Sequence, residues 1–238
     1  MSPVEDPEVR IIRLEEADST NEYAKRIAQE VPEGTVVVAS KQTAGRGRRG
    51  RSWASPEGGL WMSVILKPGK TDPRLVFVGA MAVVDVLDEF GIRAGIKWPN
   101  DVWAGGKKIA GILTEGRAGE YVVLGVGLNV NNPLPEGLWG SATSMLYLVG
   151  RKIPLEKVLG RLIFHLNAWY RVYRLRPDLL MVKVRERTFI LGKSVEVFED
   201  DSSFVGRAVD VLDDGSLLLD VGGELRRVVS GEVSLRPL

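Results

Sequence analysis

The chain of 238 residues contains no cysteine and a single histidine, His165. The absence of cysteine excludes disulfides, thiolate nucleophiles and Cys-ligated zinc. One histidine cannot build a multi-histidine metal site, and a Ser-His-Asp triad would have to use this single residue. Because His165 stands in the apolar stretch LIFHLNAWY, we interpret it as a packing or surface residue. Catalysis would therefore have to rely on Lys, Arg, Asp, backbone amides and bound ions.

Long apolar runs and an excess of one charge are also missing. No stretch approaches the roughly 20 apolar residues that a membrane helix needs, and the start, MSPVEDPEVR, lacks the basic-then-apolar order of a signal peptide. The 32 basic and 31 acidic side chains leave a net charge of +1, which favours neither nucleic acid nor anionic membrane as a partner. We therefore expect a cytoplasmic protein whose anion sites are local.

Hydrophobic patterning divides the chain into two parts. In residues 1–190, buried-strand runs such as TVVVAS (35–40) and LWMSVIL (60–66) alternate with helical patterns, the longest at 154–176. In residues 191–238, short β runs are separated by Asp-Asp-Gly and Gly-Gly turns. The pattern predicts a larger domain of strands and helices, followed by a small β-barrel-like domain.

The segment KQTAGRGRRGRSW, residues 41–53, carries five cationic side chains and no acidic one. Its three glycines allow the backbone to approach a ligand closely, and its arginines offer forked donors suited to phosphate or carboxylate. A surface charge run seldom spaces glycines in this way. The segment, hereafter the Gly-Arg loop, therefore predicts an anion site in an otherwise neutral protein.

Two generic nucleotide motifs also match the Gly-Arg loop. Gly45, Gly47 and Gly50 satisfy the dinucleotide pattern GxGxxG, and the same loop resembles a P-loop in which Arg51 replaces the required lysine. Both motifs need a helix directly after the loop, so that its N-terminus meets the phosphates. The sequence that follows, SWASPEGGLW, contains proline and paired glycines. We therefore reject both motifs.

Five motifs together resemble the biotin-protein ligase family. They are DSTN (18–21), GRGRRGRSW (45–53), KWPND (97–101), KKIAGIL (107–113) and GVGLNV (125–130), in the order and spacing of that family. The resemblance covers nearly the whole chain. It implies an α+β fold, in which a catalytic domain with a mixed β-sheet and helices, similar to class II aminoacyl-tRNA synthetases, is followed by an SH3-like β-barrel. It also implies an activity: biotin and ATP form biotinyl-5′-AMP and pyrophosphate, and biotin then passes to a lysine of a biotin carboxyl carrier protein.

The resemblance carries over to individual residues that bind biotin. Ser19, Thr20 and Asn21, with Gln42, match polar groups that bind the ureido ring, although Ser19 or Thr20 could instead cap the helix that follows. The remaining biotin contacts implied are Arg46, Gly47, Arg48, Lys108 and Gly111. Lys108 would reach the biotin carboxylate, and strand alternation would send Lys107 to the opposite face.

Other residues match the nucleotide and catalytic positions of the family. The implied ATP contacts are Arg48, Arg49, Arg51, Trp53, Lys97 and Asn129. Trp53 would pack on adenine, and Asn129 would read the edge of that base. Lys108, Arg48 and Asp101 are the implied catalytic residues. The role of Asp101 stays open among holding the Mg²⁺ that accompanies ATP, orienting Arg48, and accepting a proton from the incoming lysine.

Several alternatives remain at the level of sequence. A lipoate-protein ligase shares the fold and adenylate chemistry, and a non-catalytic biotin- or nucleotide-binding module would share the pocket. Some family members carry an N-terminal DNA-binding domain, but only 18 residues precede Ser19, so we expect no operator binding. The resemblance also implies a homodimer.

Overall fold

The computed structural model describes residues 10–199, 202–229 and 231–235. Seven strands form the first sheet, in the spatial order β1-β2-β3-β7-β6-β5-β4. β1 and β2 are parallel and the other neighbours are antiparallel, so the sheet is mixed. The strands are β1 (Ile11–Ala17), β2 (Val36–Gln42), β3 (Leu60–Leu66), β4 (Ala94–Lys97), β5 (Asp101–Ala104), β6 (Lys107–Arg117) and β7 (Tyr121–Leu128).

Helices cover both faces of this sheet. The helices are α1 (Thr20–Ile27), α2 (Leu75–Glu89), α3 (Met145–Val149), α4 (Leu155–Leu175) and α5 (Pro177–Arg187). α1 packs on one face through a small apolar cluster that includes Val37, Ile65 and Val123. α2, α4 and α5 lie over the other face and share its large core. The α+β architecture predicted from the sequence is therefore confirmed, whereas the short helix α3 was not predicted.

Strand alternation determines which side chains share the face covered by α1. Side chains two residues apart point to the same side of a strand. Ser63 therefore lies on the same face as Ile65, and Gly125 and Gly127 lie on the same face as Val123. The helix α1 begins at Thr20 and does not cover the sheet beyond that residue. The part of the sheet around Gly125 and Gly127 is therefore open to a ligand.

A β-bulge changes the direction of side chains in β6. Trp103 of β5 pairs with Lys108, but the preceding residue, Val102, pairs with Ala110. Ile109 is therefore an extra residue in β6 with no partner in β5. Regular alternation would put Lys108 and Gly111 on opposite faces. The bulge instead brings both residues to the same cavity. Lys107 points away and donates to the Trp139 carbonyl at 2.6 Å.

The C-terminal strands form a second sheet, in the order β11-β10-β9-β8-β12. Its strands are β8 (Ser194–Glu199), β9 (Ser202–Val211), β10 (Leu217–Val221), β11 (Glu224–Val228) and β12 (Glu232–Leu235). The sequence predicted a small SH3-like β-barrel, but the described strands form a sheet that does not close into a barrel. Across the described residues β11 and β12 stand at opposite edges with no hydrogen-bonded ladder between them, and a barrel would need that ladder to close.

The second sheet packs directly against the first domain. Apolar side chains of both sheets belong to one continuous buried cluster. Trp98 donates from Nε1 to the Gly215 carbonyl at 2.9 Å, and Arg185 donates from Nε to the Val211 carbonyl at 2.6 Å. The C-terminal strands are thereby held close to the end of β4. No described helix is both long and apolar enough to cross a membrane.

Candidate active site

A cavity of about 200 Å³ opens on the face of the first sheet beyond the start of α1. Six segments supply its walls: the start of α1, the Gly-Arg loop, β3 through Met62, the β4–β5 turn, β6 with β7, and β12 of the second sheet. Of the sequence-predicted residues, the cavity is lined by Ser19, Thr20, Asn21, Gln42, Arg46, Gly47, Arg48, Arg51, Trp53, Lys97, Asp101, Lys108 and Gly111.

The floor of the cavity is made of glycines on paired strands. Gly111 of β6 is opposite Gly127 of β7, and Gly125, two residues before Gly127, lies on the same face. A Cβ atom at Gly125 would overlap Asn21 Oδ1, and one at Gly127 would lie 2.5 Å from Trp53 Nε1. The absent side chains thus allow Asn21 and Trp53 to lie flat on the sheet.

Three polar side chains line one end of the cavity. Gln42 Oε1 accepts from the backbone N–H of Thr20 at 2.8 Å and from its hydroxyl at 3.2 Å, so Gln42 Nε2 must point the other way, toward Ser55 Oγ at 2.7 Å. Ser19 is the N-cap residue of α1, yet its hydroxyl makes no capping bond. Ser19 is only 3% exposed, so its hydroxyl is left to face the cavity rather than solvent.

Asn21 is fixed by two residues that the sequence motifs did not include. Its Nδ2 donates to Glu115 Oε2 at 2.8 Å and to the Leu113 carbonyl at 3.4 Å. Its Oδ1 accepts from the hydroxyl of Ser63, which is fully buried, at 2.7 Å. A pattern search could not find Ser63 and Glu115, because each lies inside an ordinary strand sequence. They are linked to the DSTN motif through Asn21 and, for Ser63, also through Thr20.

The opposite end of the cavity is cationic. Lys108 Nζ lies 2.7 Å from Asp101 Oδ1 and 5.0 Å from the centre of a Trp53 ring. The two charged side chains are 30% and 21% exposed, so solvent reaches them only in part. The indole of Trp53 rests on Gly127, and its buried Nε1 is without a hydrogen-bond partner among the described residues.

Arg48 connects the Gly-Arg loop to the C-terminal sheet. Its Nη1 donates to Asn100 Oδ1 at 3.3 Å and to the Gly231 carbonyl at 3.1 Å. Asn100 in turn donates from Nδ2 to the Ile112 carbonyl at 2.9 Å, so it does more than form a turn. Val233 of β12 also lines the cavity. The second sheet therefore contributes to a wall of the site.

The Gly-Arg loop folds back on itself without a following helix. Arg46 and Ser52 form an isolated antiparallel bridge, and the N–H of Gly47 donates to the Arg51 carbonyl at 2.7 Å. Arg49, near the tip, has a φ of 55°, in the left-handed region that a side chain disfavours. The absence of a helix after the loop agrees with our rejection of the dinucleotide and P-loop motifs.

A chain of ion pairs joins the loop to the polar end of the cavity. Arg46 Nη1 lies 2.7 Å from Glu22 Oε1, which also accepts from Lys25 at 2.7 Å, and Lys25 reaches Glu115 at 3.3 Å. Desolvation opposes the charged form of Lys25, but its hydrogen bonds and charge interactions with Glu22 and Glu115 prevail and raise its pKa.

Two predicted nucleotide-binding residues do not line the cavity. Arg49 stands outside it on the loop tip. Asn129 is buried, and its amide is used within the protein: Nδ2 donates to the Thr143 carbonyl at 3.0 Å and Oδ1 accepts from Asn132 at 3.1 Å. His165 lies on α4, 2.8 Å from Glu89 of α2; it is partly buried and does not line the cavity.

The carboxylates of the chain do not form a metal site by themselves. The described residues contain no group of three or more His, Cys, Asp or Glu that could hold a metal ion. Asp101 is the single carboxylate in the cavity lining, and it is paired with Lys108. Mg²⁺ bound to a triphosphate takes most of its ligands from phosphate oxygens and water, with one or two carboxylates. Asp101 could supply one such ligand.

Two families match separate parts of the chain. Residues 14–131 match the biotin/lipoate A/B protein ligase family, and residues 190–236 match the biotin protein ligase C-terminal domain. The bifunctional ligase/repressor BirA of Bacillus subtilis is 38% identical over 232 residues, which cover 91% of this chain and 71% of that protein. The biotin–[acetyl-CoA-carboxylase] ligase of Mycobacterium tuberculosis is 37% identical, over 84% of this chain and 79% of its own.

Solved structures share the fold. The biotin protein ligase from Aquifex aeolicus in complex with biotin and ATP superposes with a TM-score of 0.86 at 31% identity, covering 95% of this chain and 98% of that one. The apo structure of the same ligase superposes with a TM-score of 0.82.

Proposed function

The chain belongs to the biotin/lipoate A/B protein ligase family, and we propose that it is a biotin-protein ligase. It activates biotin with ATP to biotinyl-5′-AMP, releasing pyrophosphate. It then transfers biotin to a lysine of a biotin carboxyl carrier protein.

The set of free hydrogen-bonding groups at the polar end of the cavity is the observation that carries this proposal. The Ser19 hydroxyl makes no capping bond, and Gln42 Nε2 has a second hydrogen; the described residues give neither of them a partner. Asn21 Oδ1 has a second lone pair, while both Nδ2 hydrogens are engaged. The end thus offers donors for a carbonyl and an acceptor for N–H. A ureido ring needs both, whereas the dithiolane of lipoate would leave them unpaired at a cost.

The cationic end suits the first chemical step. A biotin carboxylate oxygen attacks the α-phosphorus of ATP, and pyrophosphate leaves. The carboxylate and the phosphates are anionic, so the reaction depends on positioning and on charge neutralisation. Lys108 would neutralise the carboxylate, and its contact with Asp101 at 2.7 Å, which holds the ammonium, supports this role. Arg48, Arg51 and Lys97 line the same cavity and would bind the phosphates.

The second step transfers the biotinyl group from the adenylate to the carrier lysine. The neutral amine of the carrier lysine attacks the carbonyl carbon of the mixed anhydride, an amide bond forms, and AMP leaves while the nitrogen loses a proton. We propose Asp101 as the group that holds Lys108 during the first step and accepts that proton in the second. Trp53 packs on adenine in this proposal, and Asn129 and Arg49 reach the nucleotide only if their segments shift.

Other features of the proposal rest on the family. We propose a homodimer in the cytoplasm, a division of the chain at residues 190 and 191, and Mg²⁺ that enters with ATP. The mixed sheet with helices on both faces supports a relation of the first domain to class II aminoacyl-tRNA synthetases. Sedimentation of the purified protein tests the dimer.

Pyrophosphate release tests the function. The purified chain is incubated with ATP and either biotin or lipoate, and pyrophosphate is measured. Biotin-dependent release with little or none for lipoate is the expected result. Release with lipoate alone would make the protein a lipoate ligase, and no release with either acid, together with measurable biotin binding, would leave a binding module.

A further inference from the structure

Glu115 does not line the cavity, yet it determines what the cavity offers to a ligand. Its Oε2 atom accepts from Asn21 Nδ2 at 2.8 Å. A carboxylate can only accept hydrogen bonds, so it requires the amino side of the Asn21 amide to face it. The carbonyl side, Oδ1, must then face Ser63 and the cavity.

Ser63 completes the clamp on Asn21. Its hydroxyl lies 2.7 Å from Asn21 Oδ1 and 2.8 Å from Thr20 Oγ1, and it has one hydrogen to donate. Ser63 could therefore tolerate either orientation of the Asn21 amide, by turning its hydrogen toward Thr20. The Leu113 carbonyl lies 3.4 Å from Asn21 Nδ2, which makes only a weak bond. Glu115 alone imposes the orientation strongly.

We propose that Glu115 is a positioning residue that makes the site selective for a ligand ring bearing N–H toward Asn21. This inference rests on the proposed function, in which the ligand ring is the ureido ring of biotin. Asn21 can only accept from that ring, because both of its hydrogens are engaged. A ring with an oxygen in place of this N–H would bring two acceptors together, with no hydrogen between them.

The ion pairs around Glu115 explain how its carboxylate stays in place. Lys25 lies 3.3 Å from Glu115 Oε1 and 2.7 Å from Glu22. Glu115 therefore uses one oxygen for Lys25 and the other for Asn21. Removal of Lys25 leaves the second contact, so Lys25→Met is a matched control that separates the ion pair from the orientation of Asn21.

Affinity for biotin and for two isomeric cyclic carbamates, each with one ring N–H replaced by oxygen, tests the inference. The wild-type protein should reject the isomer whose oxygen meets Asn21. In Glu115→Leu the Asn21 amide can turn and present Nδ2, so the preference for biotin over that isomer should fall about tenfold or more, the size of one hydrogen bond. The other isomer should show no such change, and Lys25→Met should keep the wild-type preference.

Each affinity ratio is measured on one preparation by calorimetry, so partial misfolding does not alter it. Glu115→Lys provides a second variant, in which the ammonium donates to Asn21 Oδ1 and the preference should move toward the carbamate. In pyrophosphate release, Glu115→Leu should raise the KM for biotin and leave kcat within about threefold, because Glu115 is remote from the reacting carboxylate.

The possible failures are distinguishable. A wild-type protein that does not bind biotin would refute the proposed function. A wild-type protein that binds biotin, with a preference that stays within about twofold in both Glu115 variants, would refute the role of Glu115. An equal loss of preference in Lys25→Met would assign the effect to the ion pairs instead.

Discussion

Replacement of Lys108 by alanine should impair adenylate formation far more than biotin binding. Unit charges about 4 Å apart interact by about 4 kcal/mol at the effective dielectric constant of a protein surface. The side chain of Lys108 is 30% exposed, so part of this interaction is screened. A loss of about 3 to 4 kcal/mol in the barrier, or a hundred- to thousandfold in rate, also matches the cost of removing one preorganised donor.

The pairing of Lys108 with Asp101 adds a second expectation. Lys108→Ala leaves the Asp101 carboxylate unpaired and facing an anionic ligand, which contributes to the loss. Asp101→Asn in the same background removes this repulsion, so the double variant should form the adenylate about tenfold faster than Lys108→Ala alone. The two substitutions should therefore be non-additive.

Single-turnover adenylate formation, measured beside equilibrium biotin binding, tests both expectations. Lys107→Ala is the matched control, since Lys107 donates to the Trp139 carbonyl on the other side of β6 and should cost little. If Lys108→Ala turned over normally, its assignment as the activating cation would have to be abandoned. If Lys107→Ala were the impaired variant, the direction of side chains in β6 would be wrong.

Three further predictions concern the loop, the domain contact and acid stability. Amide exchange in residues 43–53 should slow when biotin and ATP are added, because the loop holds four arginines and glycines with little packing of their own; equal exchange would indicate a preformed loop. Trp98→Phe should lose the bond to Gly215 and about 1 kcal/mol of stability, seen as a lower unfolding temperature, and an unchanged temperature would contradict it. The hydrogen bond from Arg161 lowers the pKa of Glu89 from 4.5 to about 2. The stability from Glu89 is therefore present above its unfolded pKa and lost as pH falls toward 2. Glu89→Gln should lower the unfolding temperature at neutral pH, and this deficit should shrink as pH falls from about 4.5 to about 2; a deficit that stays constant over this range would contradict the prediction.

Much of the fold could be predicted because its signals are local. LWMSVIL forms β3 with the predicted bounds, and the apolar period in residues 154–176 forms α4. Sequence motifs also indicated which segments meet in the cavity, since DSTN, the Gly-Arg loop and KKIAGIL all contribute to its lining. These signals depend on residues that are adjacent along the chain.

The remaining features depend on contacts between distant segments. The bulge at Ile109 arises from how β6 pairs with β5, and alternation alone would have separated Lys108 from Gly111. The amide of Asn129 is taken by Thr143, a partner that spacing does not show. Strand-like runs after Gly192 also could not show that the second sheet stays open, because closure depends on which strands pair.

The most direct test of the central claim is the intact mass of a biotin carboxyl carrier domain after incubation with the purified chain, ATP and biotin. We predict that one biotinyl group is added at a single lysine, that no addition occurs without ATP, and that lipoate is not transferred. An unmodified carrier lysine in the complete reaction, or an equal transfer of lipoate, would contradict the assignment of this chain as a biotin-protein ligase.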